Sequence, residues 1–256
     1  MAAHGRAPDV QGLAGAREVG RALRHKLYAS RFTVFIQSTR LTADLFDDLL
    51  PELSNTVIAP GAVLLHGFAR AVDTLLLEAF DAVTAQAPLR HWVTPGGRTM
   101  SVAMSNCGPL GWVSSTSGYR YTAHDPLSGH AWPAIPAVWL DLAVRAAAQA
   151  GYGCFKPDAC LVNAYGPGTK LSLHQDKDER NLGAPIVSVS LGLPAVFQFG
   201  TDQRSARPQR LRLVHGDVAV WGGASRLAYH GIAPLADGTH ALLGRRRINL
   251  TFRQAG

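Results

Sequence analysis

From Ala159 to the C-terminus the chain reads as a succession of short β-rich runs with no helical period between them. The runs are Cys160–Asn163, Leu171–His174, Pro185–Leu191, Ala195–Phe199, Leu211–Val214, Val218–Trp221 and Arg247–Arg253, separated by Gly and Pro clusters. Many short strands without alternating helices exclude a parallel α/β sheet and point to a sandwich, barrel or jelly roll. The first half is mixed. Ala62–His66 suits a strand, and Ala69–Ala87 carries a helical period through Val72, Leu75, Leu76, Ala79 and Phe80. Pro95-Gly96-Gly97 signals a turn, Thr99–Met104 alternates as a strand does, and Pro136–Ala150 is a second helix stopped by Gly151. The expectation is an α+β chain: N-terminal helices packed on an antiparallel β core, with no linker to divide it.

At 256 residues, 47% apolar and 17% charged, the chain has ordinary globular usage, and no apolar run is long enough to span a bilayer. Its net charge of +7 is unevenly placed. Residues 1–40 hold seven basic and two acidic side chains, whereas residues 41–256 hold 18 basic and 16 acidic. A high pI hints at nucleic acid, but most of this excess sits in an Arg-rich leader. Residues 1–43 are expected to be a poorly ordered extension; a basic arm touching nucleic acid and a targeting segment stay open as alternatives. Three cysteines without CxxC spacing fit a reducing compartment and a cytoplasmic protein.

Three constellations carry chemistry. In His174-Gln175-Asp176 an extended backbone turns residues i and i+2 to one face. With His230 from a distant strand, that gives two histidines and a carboxylate, a facial set that leaves metal positions open and suits non-heme Fe(II) oxygenases. A surface histidine beside a solvated aspartate is the plainer alternative. In Arg247–Arg253 the odd positions Arg247, Asn249, Thr251 and Arg253 share a face. Turned inward, they need a partner such as a dicarboxylate, which the guanidinium fork binds in a bidentate way; turned outward, they are a solvated strand face. Asn163 and Tyr165, again i and i+2, precede the Gly-Pro-Gly turn at 166–168 and could meet the same ligand.

Taken together, these segments resemble a known family. CLVNAYGPGTKLSLHQDKDERNLGAPIVSVSLGL (160–193), HGDVAVWGGASRLAYHGI (215–232) and RRINLTFRQAG (246–256) look like the core of bacterial AlkB-type DNA dealkylases, and VTPGGRTMSVAMSNCGPLGW (93–112) and GYRY (118–121) follow in family order. The likeness runs from residue 44 to the C-terminus. It implies one Fe(II)/2-oxoglutarate dioxygenase domain over 44–256, a double-stranded β-helix (jelly-roll) core, and a nucleotide-recognition lid around 93–125. His174, Asp176 and His230 would hold Fe(II). Arg247 and Arg253, helped by Asn163, Tyr165 and Asn249, would bind 2-oxoglutarate, with O2 as the second cosubstrate. Trp112, Tyr119, Asp178, Met104 and Arg204 fall where substrate contacts lie, with Trp112 as the stacking partner opposite His174. Arg98 stands where closely related members carry an aromatic residue.

The implied reaction is oxidative demethylation of 1-methyladenine or 3-methylcytosine in DNA, through a hemiaminal that releases formaldehyde, with succinate and CO2 as coproducts. A methyl group that blocks pairing lowers the cost of flipping the base out of the stack, so alkylated single-stranded DNA is the expected partner, with duplex DNA or RNA as alternatives. The chain is expected to act as a monomer away from membranes. A non-catalytic nucleic-acid-binding module on the same fold and a zinc hydrolase compete with this reading. The first has no use for a full ligand set, and the second leaves the inward arginines without a role.

Overall fold

A computed structural model describes residues 55–256. The expected basic extension over 1–43 and its boundary lie outside the described residues. In chain order the elements are β1 (Thr56–Ala59), β2 (Ala62–Leu65), α1 (Asp73–Gln86), β3 (Ala103–Cys107), β4 (Gly111–Ser115), β5 (Gly118–Thr122), α2 (Ala137–Gln149), β6 (Ala159–Tyr165), β7 (Leu171–His174), β8 (Ile186–Gly192), β9 (Ala195–Phe199), β10 (Gln209–Leu213), β11 (Val218–Trp221), β12 (His230–Ile232) and β13 (Arg247–Arg253). A seven-stranded sheet in the order β1-β2-β11-β8-β13-β6-β3 faces a four-stranded sheet, β10-β9-β12-β7; β4 and β5 form a separate hairpin. This is the strand-rich, helix-poor arrangement of a jelly-roll core, α+β in class.

Alternation along each strand of the large sheet sorts its side chains into two cores. On β13, Ile248, Leu250 and Phe252 join α1 and α2 in one apolar cluster. The alternate residues, from Arg247 to Arg253, turn into the space between the sheets. On β11, Val218 and Val220 face the helices while Ala219 and Trp221 face the smaller sheet. The helices cover the sheet through Leu76, Phe80 and Val83 of α1 and Trp139, Leu142, Ala143 and Ala146 of α2. Burying each large apolar side chain contributes about 1.5–3 kcal/mol. Gly151, at φ +92°, ends α2 in the left-handed conformation that glycine adopts without a Cβ clash.

Two local readings need correction. Residues 99–102 are not strand: β3 starts at Ala103, because the alternation of Thr99–Met104 belongs to an irregular segment held by single bridges, Val93 to Thr99 and Arg90 to Met104. The first helix starts at Asp73 rather than Ala69, after a 3-10 turn at Arg70–Val72. The hairpin β4–β5 and strands β1 and β12 have no apolar run of their own strong enough to be read from sequence.

The segment expected to form a lid is pinned at its base. Asn106 bonds the Trp112 backbone both ways at 2.9 Å, the Trp132 indole donates to the Thr122 carbonyl at 3.0 Å, and Arg90 pairs with the buried Asp125 at 2.6 Å. Burial alone would raise the Asp125 pKa, but the Arg90 guanidinium, with the Leu127 N–H and the Ser128 hydroxyl, holds it below the ordinary carboxylate value. Its stabilising contribution is therefore present at neutral pH and is lost as pH falls through the depressed pKa. Arg90→Met leaves that carboxylate buried beside its two weaker donors. The expected cost is about 3 kcal/mol, or roughly 6–12 °C in melting temperature, read by calorimetry at pH 7; a shift under about 2 °C would show the pair to be incidental.

Candidate metal and dicarboxylate site

The space between the sheets opens as a cavity of about 680 Å³, and all thirteen site residues singled out from the sequence line it. At one end lie His174, Asp176 and His230. β7 and β12 are hydrogen-bonded neighbours with His174 opposite His230 in register, so the two imidazoles stand 4.4 Å apart between centroids. Glycine at 231 permits this approach, since a Cβ there would lie 2.6 Å from the Leu171 carbonyl oxygen. β7 ends at His174, so Asp176 reaches the same point from the irregular segment that follows, while Gln175 turns to bond the Leu227 carbonyl at 2.7 Å.

The ligand atoms of the three residues lie within 4.8 Å of one another. Each imidazole has its Nδ1 on a backbone carbonyl: His174 on Ser172 at 2.9 Å and His230 on Ala228 at 3.0 Å. That bond places the proton on Nδ1 and leaves Nε2 as the free donor pair, as a ligating histidine requires. The Nε2 atoms sit 3.6 and 3.8 Å from the Asp176 carboxylate oxygens. Burial, with the neighbouring His174, pushes the His230 pKa down to about 4, so its ring is neutral at physiological pH. Burial would raise the Asp176 pKa, but Arg253 and then the two histidines overcome it and keep the carboxyl ionised. Two imidazoles with their Nε2 atoms turned to one point, together with a carboxylate, fit a divalent first-row metal.

Running on from this cluster, the polar face of β13 lies against β6, with Arg247 opposite Tyr165 and Asn249 opposite Asn163 in register. The fully buried Arg247 donates from Nη2 to Ser190 Oγ at 2.9 Å and lies 4.9 Å from the Tyr165 ring centroid; its Nε and Nη1 have no partner. Burial lowers its pKa and raises that of the Tyr165 hydroxyl. Arg253 holds Asp176 through Nε at 2.8 Å and Nη2 at 2.6 Å, and its Nη1 is unpaired. Asn163 donates to Asn249 Oδ1 at 3.2 Å while its own Oδ1 is unpaired. Buried unpaired donors are costly, and an organic dicarboxylate in the cavity fits them.

The remaining candidates line the same cavity. Trp112 stacks on Tyr119 at 5.3 Å and 20°, and its indole donates to Asp178 at 3.0 Å. One face of the Trp112 ring is thus covered by Tyr119. Met104 is buried on β3 opposite Asn163, and the exposed Arg204 lies 5.8 Å over the Tyr229 ring.

Several residues escaped the sequence reading. Ser188 and Ser190 fix Asn249 and Arg247, and their i, i+2 spacing in IVSVSLG was a readable signal. Glu179 is buried, accepting from Tyr121 at 2.7 Å and Arg226 at 3.1 Å and lying 3.3 Å from Arg253. Nothing local marks Arg226. Trp221 packs edge-on against His230 at 4.9 Å.

A family model described as the 2OG-Fe(II) oxygenase superfamily matches residues 61–253. The chain is 57% identical over 212 residues to a protein of Salmonella typhimurium named "Alpha-ketoglutarate-dependent dioxygenase AlkB", covering 83% of this chain and 97% of that one. It is 56% identical to the protein of the same name from Escherichia coli, with 83% and 98% covered. Among solved structures, that of OsALKBH1 superposes with a TM-score of 0.70 at 29% identity, covering 78% of this chain and 100% of the other. No described helix is long and apolar enough to cross a membrane.

Proposed function

The chain belongs to the 2OG-Fe(II) oxygenase superfamily, and on that footing we propose that it removes alkyl groups oxidatively from the ring nitrogens of nucleobases in DNA, with 1-methyladenine and 3-methylcytosine as substrates. It is an Fe(II)- and 2-oxoglutarate-dependent dioxygenase. One observation carries the proposal to the site: two imidazoles and a carboxylate share a cavity with two buried guanidinium groups that have unpaired N–H donors.

His174, Asp176 and His230 would hold the iron. Arg247 and Arg253, with Asn163, Tyr165 and Asn249, would hold the two ends of 2-oxoglutarate. With both bound, the centre supplies O2-driven decarboxylation of the cosubstrate coupled to hydroxylation of a C–H bond. The chain's own residues place that bond and keep water out. Trp112, Tyr119 and Met104 offer apolar surface to a flipped base, where stacking contributes about 1–3 kcal/mol. The Asp178 carboxylate, fixed by the Trp112 indole, faces the positive charge that N-methylation leaves on the ring. Arg204 sits where a phosphate or the base edge passes.

Single-stranded DNA is the preferred form on this reading, because a base already unpaired is cheaper to extrude. We place the enzyme in the cytoplasm as a monomer, where Cys107, Cys154 and Cys160 stay as free thiols. A single-stranded oligonucleotide carrying 1-methyladenine is expected to lose the methyl mass and release formaldehyde only when Fe(II), 2-oxoglutarate and O2 are all present. Matched RNA run beside it distinguishes a demethylase of the other nucleic acid. Unchanged mass on both, with folded and iron-loaded protein, would remove the dealkylase reading.

A further inference from the structure

Four arginines, Arg204, Arg207, Arg210 and Arg212, and a single acid, Asp202, fall within residues 200–214. The rest of residues 41–256 holds 14 basic and 15 acidic side chains, so this stretch carries the whole positive excess of that region. It is the β9–β10 loop followed by β10, an edge strand of the smaller sheet.

Alternation gives the stripe its direction. Leu211 and Leu213 pack into the core between the sheets, so Arg210 and Arg212 share the outer face and both are exposed. Their cross-strand partners on β9 are Gln198 and Val196, which are uncharged. Among the described residues none of the four arginines forms an ion pair. The exposed Arg204 lines the candidate cavity, so the stripe starts at a residue of that site and continues on the outer face of β10.

We propose that Arg210 and Arg212, with Arg207 before them, form a track for the sugar–phosphate backbone of the substrate strand beyond the nucleotide held in the cavity. The proposal rests on the nucleic-acid reading above. Same-face residues on a strand are about 6.8 Å apart, of the order of the distance between neighbouring phosphates along the backbone of an extended single strand. The one outward apolar side chain opposite the stripe, Val196, is small and half-buried, which is less than the large aromatic or aliphatic anchor a protein partner would need. Contacts of this kind carry no sequence information and position the strand.

The test uses the full chain with Arg210→Ala and Arg212→Ala combined; both side chains are exposed, so the core is untouched. Binding is measured by fluorescence anisotropy across a salt series, on an unmodified single strand of about 20 nucleotides and on a trinucleotide. For the longer strand the slope of log K against log salt is expected to fall by about 1.4, two phosphate contacts at about 0.7 each. Trinucleotide binding is expected to stay as in the parent. An unchanged slope overturns the track, as does equal weakening on the trinucleotide. Weakening confined to a duplex also overturns it, by assigning the arginines to the opposite strand. Turnover of a methylated trinucleotide is scored separately, so failure of the dealkylation reading shows there while anisotropy still reports on the surface.

Discussion

Asp176→Ala is expected to abolish turnover and metal binding together. The loss should exceed the roughly 10–100-fold that substitutions outside a metal's own ligands cost. The carboxylate is the anionic ligand beside two imidazoles, and without it the remaining nitrogens bind a divalent cation weakly. Alanine also deprives the buried Arg253 of the bonds at 2.8 and 2.6 Å, leaving Glu179 as its counter-charge. Breaking a buried pair costs about 3–5 kcal/mol, so a lower melting temperature should accompany the loss. Asp176→Asn separates the two effects, since it keeps an oxygen near Arg253 while removing the charge. Calorimetric titration with Co(II) or anaerobic Fe(II) reads the metal affinity directly. Near-normal turnover in either variant would show that the ligand assignment is wrong.

Arg247→Met is expected to move stability and function in opposite directions. In the ligand-free protein Arg247 is a buried guanidinium with one hydrogen bond and two unpaired nitrogens. Replacing it by an apolar chain removes a desolvated charge, which should raise the melting temperature by about 2–8 °C, from roughly 1–2 kcal/mol at about 2–4 °C per kcal/mol. The same change deletes the charged anchor for a carboxylate. Losing one partner of a buried charge pair costs about 2–5 kcal/mol, so the KM for 2-oxoglutarate should rise about 30- to 4,000-fold at tenfold per 1.4 kcal/mol. 2-Oxoglutarate should no longer protect against thermal unfolding, while metal affinity stays near that of the parent. A protein that is less stable, yet still protected by 2-oxoglutarate, would mean that Arg247 is a structural cation.

Much of the core was legible because period-two alternation is strong wherever one face is buried. β7, β9, β11 and β13 fall on the runs read from the chain. The odd face of β13 turns inward for the reason given from sequence: its even face, Ile248, Leu250 and Phe252, is wholly apolar. What stayed hidden depends on tertiary contact. Gly111–Ser115 and Gly118–Thr122 pair only with each other and are held by Asn106 and Glu179 from elsewhere, so their sequences carry little strand signal. The Glu179–Arg226–Arg253 cluster joins three distant stretches, and no spacing rule marks such a set. Residues 99–102 misled in the other direction, alternating without a partner strand to pair along.

The segment after β7 has a mechanical consequence. Asp176 reaches the metal site, and within the next three residues Asp178 and Glu179 grip Trp112 and Tyr121 of the hairpin. The hairpin proposed to cover the base and the proposed iron site are therefore indexed to each other by a few peptide units of one continuous backbone. Slack elsewhere in the hairpin leaves that alignment intact, whereas a single inserted residue between 176 and 179 would put grip and reaction out of step.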